Sequence, residues 1–275
     1  MIVDGKKIAE GILKYLEMRI GNRSLNLTAV LVGNDLGLKK FVDLKKKAAE
    51  KIKIHVSVYK FKERESQKKV VEIVRKLSQD LSINGIFVEL PLPKRYKTQE
   101  ILNAVLPEKD VDLLSLKMQR KYYTGKSDIL PPCVEALESV FKLHNVRLTG
   151  KTAAVFGYGM LVGKPIMHWL KRNGVRVSVI DIDTKNPKHI SQESDIIISG
   201  VGNPGLLTGD MIKKGAIVVD YGYAQKNNNM VGDVDFSSVA SKASLITPVP
   251  GGMGPVVIAA TFKNLVQLAY KNEKT

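Results

Sequence analysis

Leu38, Phe41, Val42, Ala48, Ala49 and Ile52 recur at helical spacing in the segment LGLKKFVDLKKKAAEKI, and at about 100° per residue all six fall within about 60° of Lys45. An ammonium centred on an apolar stripe must be partnered, reach outward to water, or lose its proton more easily than a solvated lysine. A lysine that gives up its proton readily serves as a proton-transfer group, whereas one that reaches outward is only a rim residue of a core. Lys39, Lys40, Lys46, Lys47 and Lys51 point away from the stripe and read as solvated charge. Two acids are candidates for the same chemistry. Glu89 closes the apolar run GIFVEL and precedes the rigid turn Leu90-Pro91-Leu92-Pro93. In parallel sheets ligands gather beyond the carboxyl ends of strands, which is where Glu89 would stand. Asp112, in Lys109-Asp110-Val111-Asp112, reads either as a ligand contact or, with Asp110, as part of an exposed acidic loop.

A second chemistry is written in the other half. After the run KTAAVF come Gly157-Tyr158-Gly159-Met160-Leu161-Val162-Gly163 and then the helical pattern KPIMHWLKRNG. A strand, a Gly-x-Gly turn and a helix start present backbone N–H groups and a positive helix end to a pyrophosphate. Pro165 suits the first helical turn, where its missing N–H costs little. The spacing is one residue longer than the commonest fingerprint, and glycines also serve plain turns, but the run VRVSVID follows at the distance a dinucleotide fold requires. Asp181 and Asp183 at its end would accept from a ribose 2′-hydroxyl and repel a 2′-phosphate, which favours NAD, whereas Thr184 and Lys185 would receive that phosphate. These residues leave NAD against NADP open. The segment from Pro248 to Pro255, PVPGGMGP, opens a final helix; it could approach a flat ligand closely or simply turn the chain.

Positioning such groups requires a layered scaffold, and short apolar runs alternating with helical patterns predict α/β architecture. Strands are expected at 27–33, 53–61, 85–90, 151–157, 175–181, 195–199, 216–222 and 244–249, and helices at 36–52, 66–80, 133–144, 163–173 and 256–270. The polar segment SLKMQRKYYTGKSD, followed by Pro131 and Pro132, suggests a domain boundary near 115–130. A chain of 275 residues suffices for two modest domains, and 44% hydrophobic with 25% charged residues excludes wholesale disorder. No run of about 18 apolar residues offers a membrane span. The start, MIVDGKKIAEGIL, lacks the apolar core of a signal peptide, and the single Cys133 permits no intramolecular disulfide, so a cytoplasmic protein is expected. The net charge of +16 is carried by 34 lysines against 9 arginines, with no basic stretch interleaved with aromatics. Base readout and strand stacking lean on arginine and aromatic side chains, so nucleic acid is not an expected partner. The charge reads as a solvated surface or as a field that draws an acidic small molecule.

Along essentially its whole length, from IVDGKKIA to the last helix, the chain resembles the methylenetetrahydrofolate dehydrogenase/cyclohydrolase family. The most specific stretches are ELPLP at 89–93, PEKDVD at 107–112, VGDV at 231–234 and ITPVPGGMGP at 246–255, supported by VGNPG at 201–205 and KKGAIVVDYG at 213–222. The resemblance implies two α/β domains around a cleft, without a metal, in a homodimer. A catalytic folate-binding domain would span 1–117, joined by a C-terminal helix at 250–275, and a Rossmann-like NAD(P)-binding domain would span 118–249. The implied reaction is oxidation of methylenetetrahydrofolate by hydride transfer to NADP (NAD being possible), followed by hydrolysis of the methenyl product to formyltetrahydrofolate in one-carbon metabolism. The family's essential lysine falls on Lys45 and its substrate aspartate on Asp112, with Glu89 as the lysine's tuning partner. Folate contacts are implied at Phe41, Pro91, Gly251, Gly252 and Pro255, and dinucleotide contacts at Gly157, Tyr158, Gly159, Gly163, Thr184, Lys185 and Gly200.

Several positions depart from the family pattern. A tyrosine one turn before the lysine is Phe41 here, and a glutamine that contacts the lysine is Glu89. A PCTP segment is reduced to Pro132-Cys133-Val134-Glu135, a small or basic residue after the first glycine is Tyr158, and a threonine after PGGMGP is Val257. A carboxylate beside an ammonium favours the charged lysine, whereas a base must be able to lose its proton. The dehydrogenase assignment therefore withstands these changes better than the cyclohydrolase one. A different Rossmann dehydrogenase acting on a small acid would use the second half equally well but leaves ELPLP and PGGMGP unexplained, and a non-catalytic binding protein is the remaining alternative.

Overall fold

Each of the eight runs expected as a strand is a strand in the computed structural model, which describes residues 1–226 and 229–272. In chain order the elements begin α1 (Gly5–Ile20), β1 (Leu25–Val32), α2 (Leu36–Glu50), β2 (Ile54–Phe61), α3 (Gln67–Gln79), β3 (Gly85–Val88), α4 (Thr98–Leu102) and α5 (Leu116–Tyr123). There follow α6 (Pro132–Leu143), β4 (Thr152–Phe156), α7 (Gly163–Arg172), β5 (Arg176–Ile180), α8 (Pro187–Gln192), β6 (Ile196–Ser199) and β7 (Ile217–Asp220). The chain ends with the hairpin β8 (Ala224–Lys226) and β9 (Asn229–Val231), then α9 (Phe236–Ala240), β10 (Leu245–Ile246) and α10 (Met253–Asn272).

The first sheet is parallel, in the order β2-β1-β3, with Ala29 of β1 opposite Val58 and Phe87. Parallel strands covered on both faces read as continuous apolar runs, and β1 is buried at every residue except the half-buried Asn26. The helix α2 crosses from β1 to β2. Its start is fixed by the Asp35 carboxylate, which accepts from the Leu38 N–H at 2.9 Å and satisfies one of the helix's free donors. Leu38, Val42, Ala49 and Ile52 are buried as the helical stripe requires, while Phe41 and Ala48 are half-buried.

The second sheet is also parallel, in the order β10-β7-β6-β4-β5. Its first strand, β4, has β5 on one side and β6 on the other, so the winding direction reverses between β4 and β6. This is the doubly wound order 2-1-3-4-5, and the first sheet repeats its opening 2-1-3 pattern. Ile196, Ile197, Ile198, Val218 and Val219 have no exposed surface at all, which gives this sheet its core.

The chain divides into two compact units, Met1–Ala9 with Cys133–Val257, and Glu10–Pro132 with Ile258–Thr275. We call them the Gly157 unit and the Lys45 unit. Their bounds differ from 1–117 and 118–249. The segment expected to be a polar boundary forms α5, whose N-terminus is capped by the Ser115 hydroxyl accepting from Met118 N–H and which buries Met118 and Tyr122. The first residues belong with the second sheet because Val3 N–H donates to the Ile246 carbonyl, and Ile246 N–H to the Met1 carbonyl. The last helix joins the Lys45 unit from Ile258, not 250, and residues 273–275 of the expected segment lie outside the described residues. Among the described residues no helix is long and apolar enough to cross a membrane, and no group of three or more His, Cys, Asp or Glu side chains could hold a metal ion.

Candidate active site

β3 ends at Val88, but the ladder continues one residue further, where Glu89 N–H donates to the Val30 carbonyl at 2.9 Å. Glu89 thus leaves the sheet at the carboxyl end of β3, beside β1, where the winding of that sheet reverses. Lys45 Nζ donates to Glu89 Oε1 at 2.8 Å, and the two side chains are only 12% and 8% exposed. The same ammonium lies 3.8 Å from the centroid of the Phe87 ring, a cation–π distance. Of the three fates open to a lysine on an apolar face, Lys45 has taken the partnered one.

Asp112 faces this pair. It is half-buried, and its Oδ1 accepts from the Thr261 hydroxyl at 3.5 Å. Loss of solvent pushes its carboxyl up to about 6, with Lys45 pulling it down and Asp110 and Glu89 pushing it further up. Asp110 is not in an exposed acidic loop. It is buried, and its carboxylate accepts from Leu114 N–H at 3.1 Å and Ser115 N–H at 2.7 Å, so it holds the turn that carries Asp112. Burial raises the Asp110 carboxyl above its ordinary value, and the same hydrogen bonds oppose the rise. Asn264 of α10 completes the support by donating from Nδ2 to the Val111 and Leu130 carbonyls, each at 2.8 Å. Phe87, Thr261 and Asn264 were not among the expected site residues. The available signal was a pair of polar residues, Thr261 and Asn264, on the apolar face of the last helix. Phe41 lies one turn before Lys45 on α2, and Pro91 is exposed after the cis Leu90–Pro91 peptide. The strand-to-turn segment is anchored by Tyr96, whose hydroxyl donates to the Glu63 and Glu65 carbonyls at 3.0 and 2.8 Å.

In the Gly157 unit, β4 delivers the chain into Gly157 at φ +85°, a conformation that side chains disfavour. A Cβ at Gly163 would land on the Gly157 carbonyl oxygen, so α7 starts in direct contact with the turn. A Cβ at Gly200, just beyond β6, would press on Val162 at 2.7 Å. Gly157 and Gly200 therefore flank the reversal between β4 and β6, with the N-terminus of α7 above them, while Gly159 has open space around it and Tyr158 is exposed. Glycines where a side chain would not fit, room at the middle glycine and a positive helix end suit a pyrophosphate, so the residues present fit a dinucleotide. At the end of β5 the Asp181 carboxylate accepts from the Thr184 hydroxyl at 2.7 Å and from Asp183 N–H at 3.1 Å, which holds it below its ordinary range. Lys185 is exposed next to this turn.

The motifs VGNPG and VGDV form one device. Asp233 is fully buried and accepts from the Ser199 hydroxyl at 2.6 Å, Val201 N–H at 2.8 Å and Asn203 N–H at 2.7 Å. Its neighbour Asp220 accepts from Gly222 and Val234 N–H groups, and burial pushes its carboxyl up to about 6. In the last loop Gly251 has φ +98°, Gly252 N–H donates to the Pro248 carbonyl, and a Cβ on Gly5 would land on the Gly252 carbonyl oxygen. This glycine pair lets the start of α1 close onto the loop, with Pro255 in the first turn of α10.

A glycine cradle at the reversal of one parallel sheet and a buried ammonium–carboxylate pair at the reversal of another define an α/β enzyme of the dinucleotide-binding class. Residues 3–112 match the tetrahydrofolate dehydrogenase/cyclohydrolase catalytic domain and residues 131–273 match its NAD(P)-binding domain, and the chain belongs to that family. It is 36% identical to the bifunctional protein FolD of Nautilia profundicola, across 98% of this chain and 96% of that one. Among solved structures it resembles the bifunctional FolD methylenetetrahydrofolate dehydrogenase/cyclohydrolase of Campylobacter jejuni, with TM-score 0.94, 33% identity and 99% of both chains covered. It also resembles the Trypanosoma brucei enzyme complexed with NADP cofactor and inhibitor, with TM-score 0.94, 28% identity, and 100% and 99% coverage.

Proposed function

We propose that the protein oxidises methylenetetrahydrofolate to methenyltetrahydrofolate with NADP, and hydrolyses that product to formyltetrahydrofolate more slowly than it forms it. The observation that carries this reading is the Lys45–Glu89 pair at 2.8 Å beside Asp112, in a chain of this family. Asp112 accepts from the N–H groups of the pterin, and Phe41 and Pro91 belong to the same ligand's surroundings. Gly157, Tyr158, Gly159, Gly163 and Gly200 hold the pyrophosphate region, with Thr184 and Lys185 at the ribose. When bound, the nicotinamide ring supplies a hydride acceptor. Hydride departure from the bridging carbon needs the two rings positioned but no base. Hydrolysis needs a proton moved at a water molecule, and that task falls to Lys45. Its ion pair with Glu89 and the missing hydroxyl at Phe41 both oppose the second step, so a dehydrogenase that has lost the cyclohydrolase activity is the alternative these two residues favour. A homodimer and a cytoplasmic address are part of the same proposal and rest on the family resemblance. The test is the absorbance of reduced cofactor on adding methylenetetrahydrofolate with NADP or NAD, with hydrolysis followed separately by loss of the methenyl chromophore. Absence of reduced cofactor in both mixtures refutes the reading.

A further inference from the structure

One ammonium serves two carboxylates in the Lys45 unit. Lys45 is committed to Glu89 at 2.8 Å, and among the described residues Asp112 has a hydroxyl contact from Thr261 and only the shared lysine as a cation. Asp110, the remaining acid, already has two N–H donors. A glutamine in place of Glu89 would give a cluster with one positive and one negative charge. With Glu89 the cluster has one positive charge and two negative ones, in surroundings where the Lys45 and Glu89 side chains are about nine-tenths removed from solvent. An excess negative charge screened so little from its neighbours attracts a cation strongly.

The two folate species of the proposed reaction differ in the charge at the reacting carbon. In methylenetetrahydrofolate the carbon bridging N5 and N10 is neutral. When a C–H bond breaks and the hydride leaves with both electrons for the nicotinamide, the remaining N5–CH–N10 group is an amidinium with one positive charge. We propose that Glu89 makes the Lys45–Glu89–Asp112 cluster an anionic receptor for this methenyl cation, so that the protein binds the cation more tightly than neutral reduced folates. The inference rests on the folate reading above and adds a specific role for Glu89. It acts through net charge as well as through the lysine proton. The same attraction assists the dehydrogenase step, because positive charge grows on the carbon as the hydride leaves, and it slows hydrolysis by stabilising the cationic reactant.

The experiment compares the affinity of the intact protein for methenyltetrahydrofolate and for tetrahydrofolate, by stopped-flow binding before hydrolysis proceeds. It is repeated on Glu89→Gln, Glu89→Asp and Asp112→Asn, with circular dichroism to establish that each variant folds. Wild type is expected to favour the cation by about tenfold or more, which is about 1.4 kcal/mol. Glu89→Gln and Asp112→Asn should each reduce that ratio by about tenfold, and Glu89→Asp should retain it. A purely structural role for Glu89 would weaken both ligands together and leave the ratio unchanged, and that result overturns the proposal, as does a wild-type ratio near one. Failure of the wild type to bind either folate would instead overturn the folate reading itself.

Discussion

Ser199, the last residue of β6, donates its hydroxyl to the Asp233 carboxylate at 2.6 Å, although thirty-four residues separate them in the chain. With the Val201 and Asn203 N–H groups on the same carboxylate, this contact sets the backbone path after Gly200. Replacing Asp233 with alanine leaves the buried Ser199 hydroxyl and the two part-buried N–H groups of Val201 and Asn203 without their acceptor, a loss of about 2 kcal/mol. The expected outcome is a lower melting temperature and a fall in NADP affinity of about tenfold or more, with tetrahydrofolate binding little changed. Calorimetric titration of both ligands checks this, and an Asp233→Ala protein that binds NADP like wild type disproves the assignment of this loop to the dinucleotide.

Lys45→Ala is expected to abolish methenyl hydrolysis and leave NADP affinity within about tenfold of wild type, because Lys45 lies on α2 of the unit that does not carry the glycine turn. Hydrolysis rates and an NADP titration on the same preparation decide it. A loss of NADP affinity beyond that limit sinks the division of labour between the two units.

Methenyltetrahydrofolate is expected to accumulate during turnover. Phe41 lacks a hydroxyl that would orient water or relay a proton, a contact commonly worth about tenfold in rate. Glu89, at 2.8 Å, holds the Lys45 ammonium in an ion pair that a water molecule must compete with. Phe41→Tyr and Glu89→Gln should each raise the hydrolysis rate. Equal rates for the two steps in wild type, with neither substitution improving hydrolysis, contradict this account.

NADP is expected to be preferred to NAD, and Asp181 to limit the preference. Its carboxylate holds the Thr184 hydroxyl in the turn that leads to Lys185, so it would repel a 2′-phosphate. Asp181→Ala should therefore raise kcat/KM for NADP by about fivefold without helping NAD. A clear advantage for NAD in wild type refutes the preference.

The Asp112 carboxyl has an ordinary value of 3.8 and is raised to about 6 in the fold. The folded protein thus holds this proton more tightly than the unfolded chain. Its contribution to stability is fully present below about pH 4, is lost as pH rises through about 6, and stays absent above that. Asp112→Asn removes the effect, so the melting temperature of the variant relative to wild type should climb between these two pH values and then level. A difference that is flat across the range shows that burial does not raise this carboxyl.

The inner parallel strands β1, β4, β6 and β7 were legible because they are buried on both faces and appear as apolar runs, the edge strands β2 and β5 because apolar residues alternate with polar ones, and Lys45 because an ammonium interrupts a regular stripe. The helix α5 was not legible. In LKMQRKYY only Met118 and Tyr122 are buried, and two points four residues apart do not establish a period. The paired device of Asp220 and Asp233 was hidden for another reason. Each motif is short and polar, and their meeting depends on where β6 and β7 lie in the sheet, a long-range relation that spacing does not carry. Asp110 was read with an exposed loop as one option because its partners are backbone N–H groups, which every sequence has and none displays.

Asn264 joins the last helix to the Val111 and Leu130 carbonyls, and Phe262, Leu265 and Val266 beside it are buried. Both units are discontinuous in the chain, but the Gly157 unit is complete by Val257, whereas the Lys45 unit still needs the segment from Ile258. On a ribosome the unit whose sheet emerges first is the one completed later. Its sheet and α2 emerge early, but the wedge of α10 that seals its core arrives only with the final residues, after the nucleotide-binding half is whole. A fragment ending at Pro132 should accordingly expose the apolar floor that Phe262 and Leu265 cover and require the last helix, supplied in trans or by fusion, to fold.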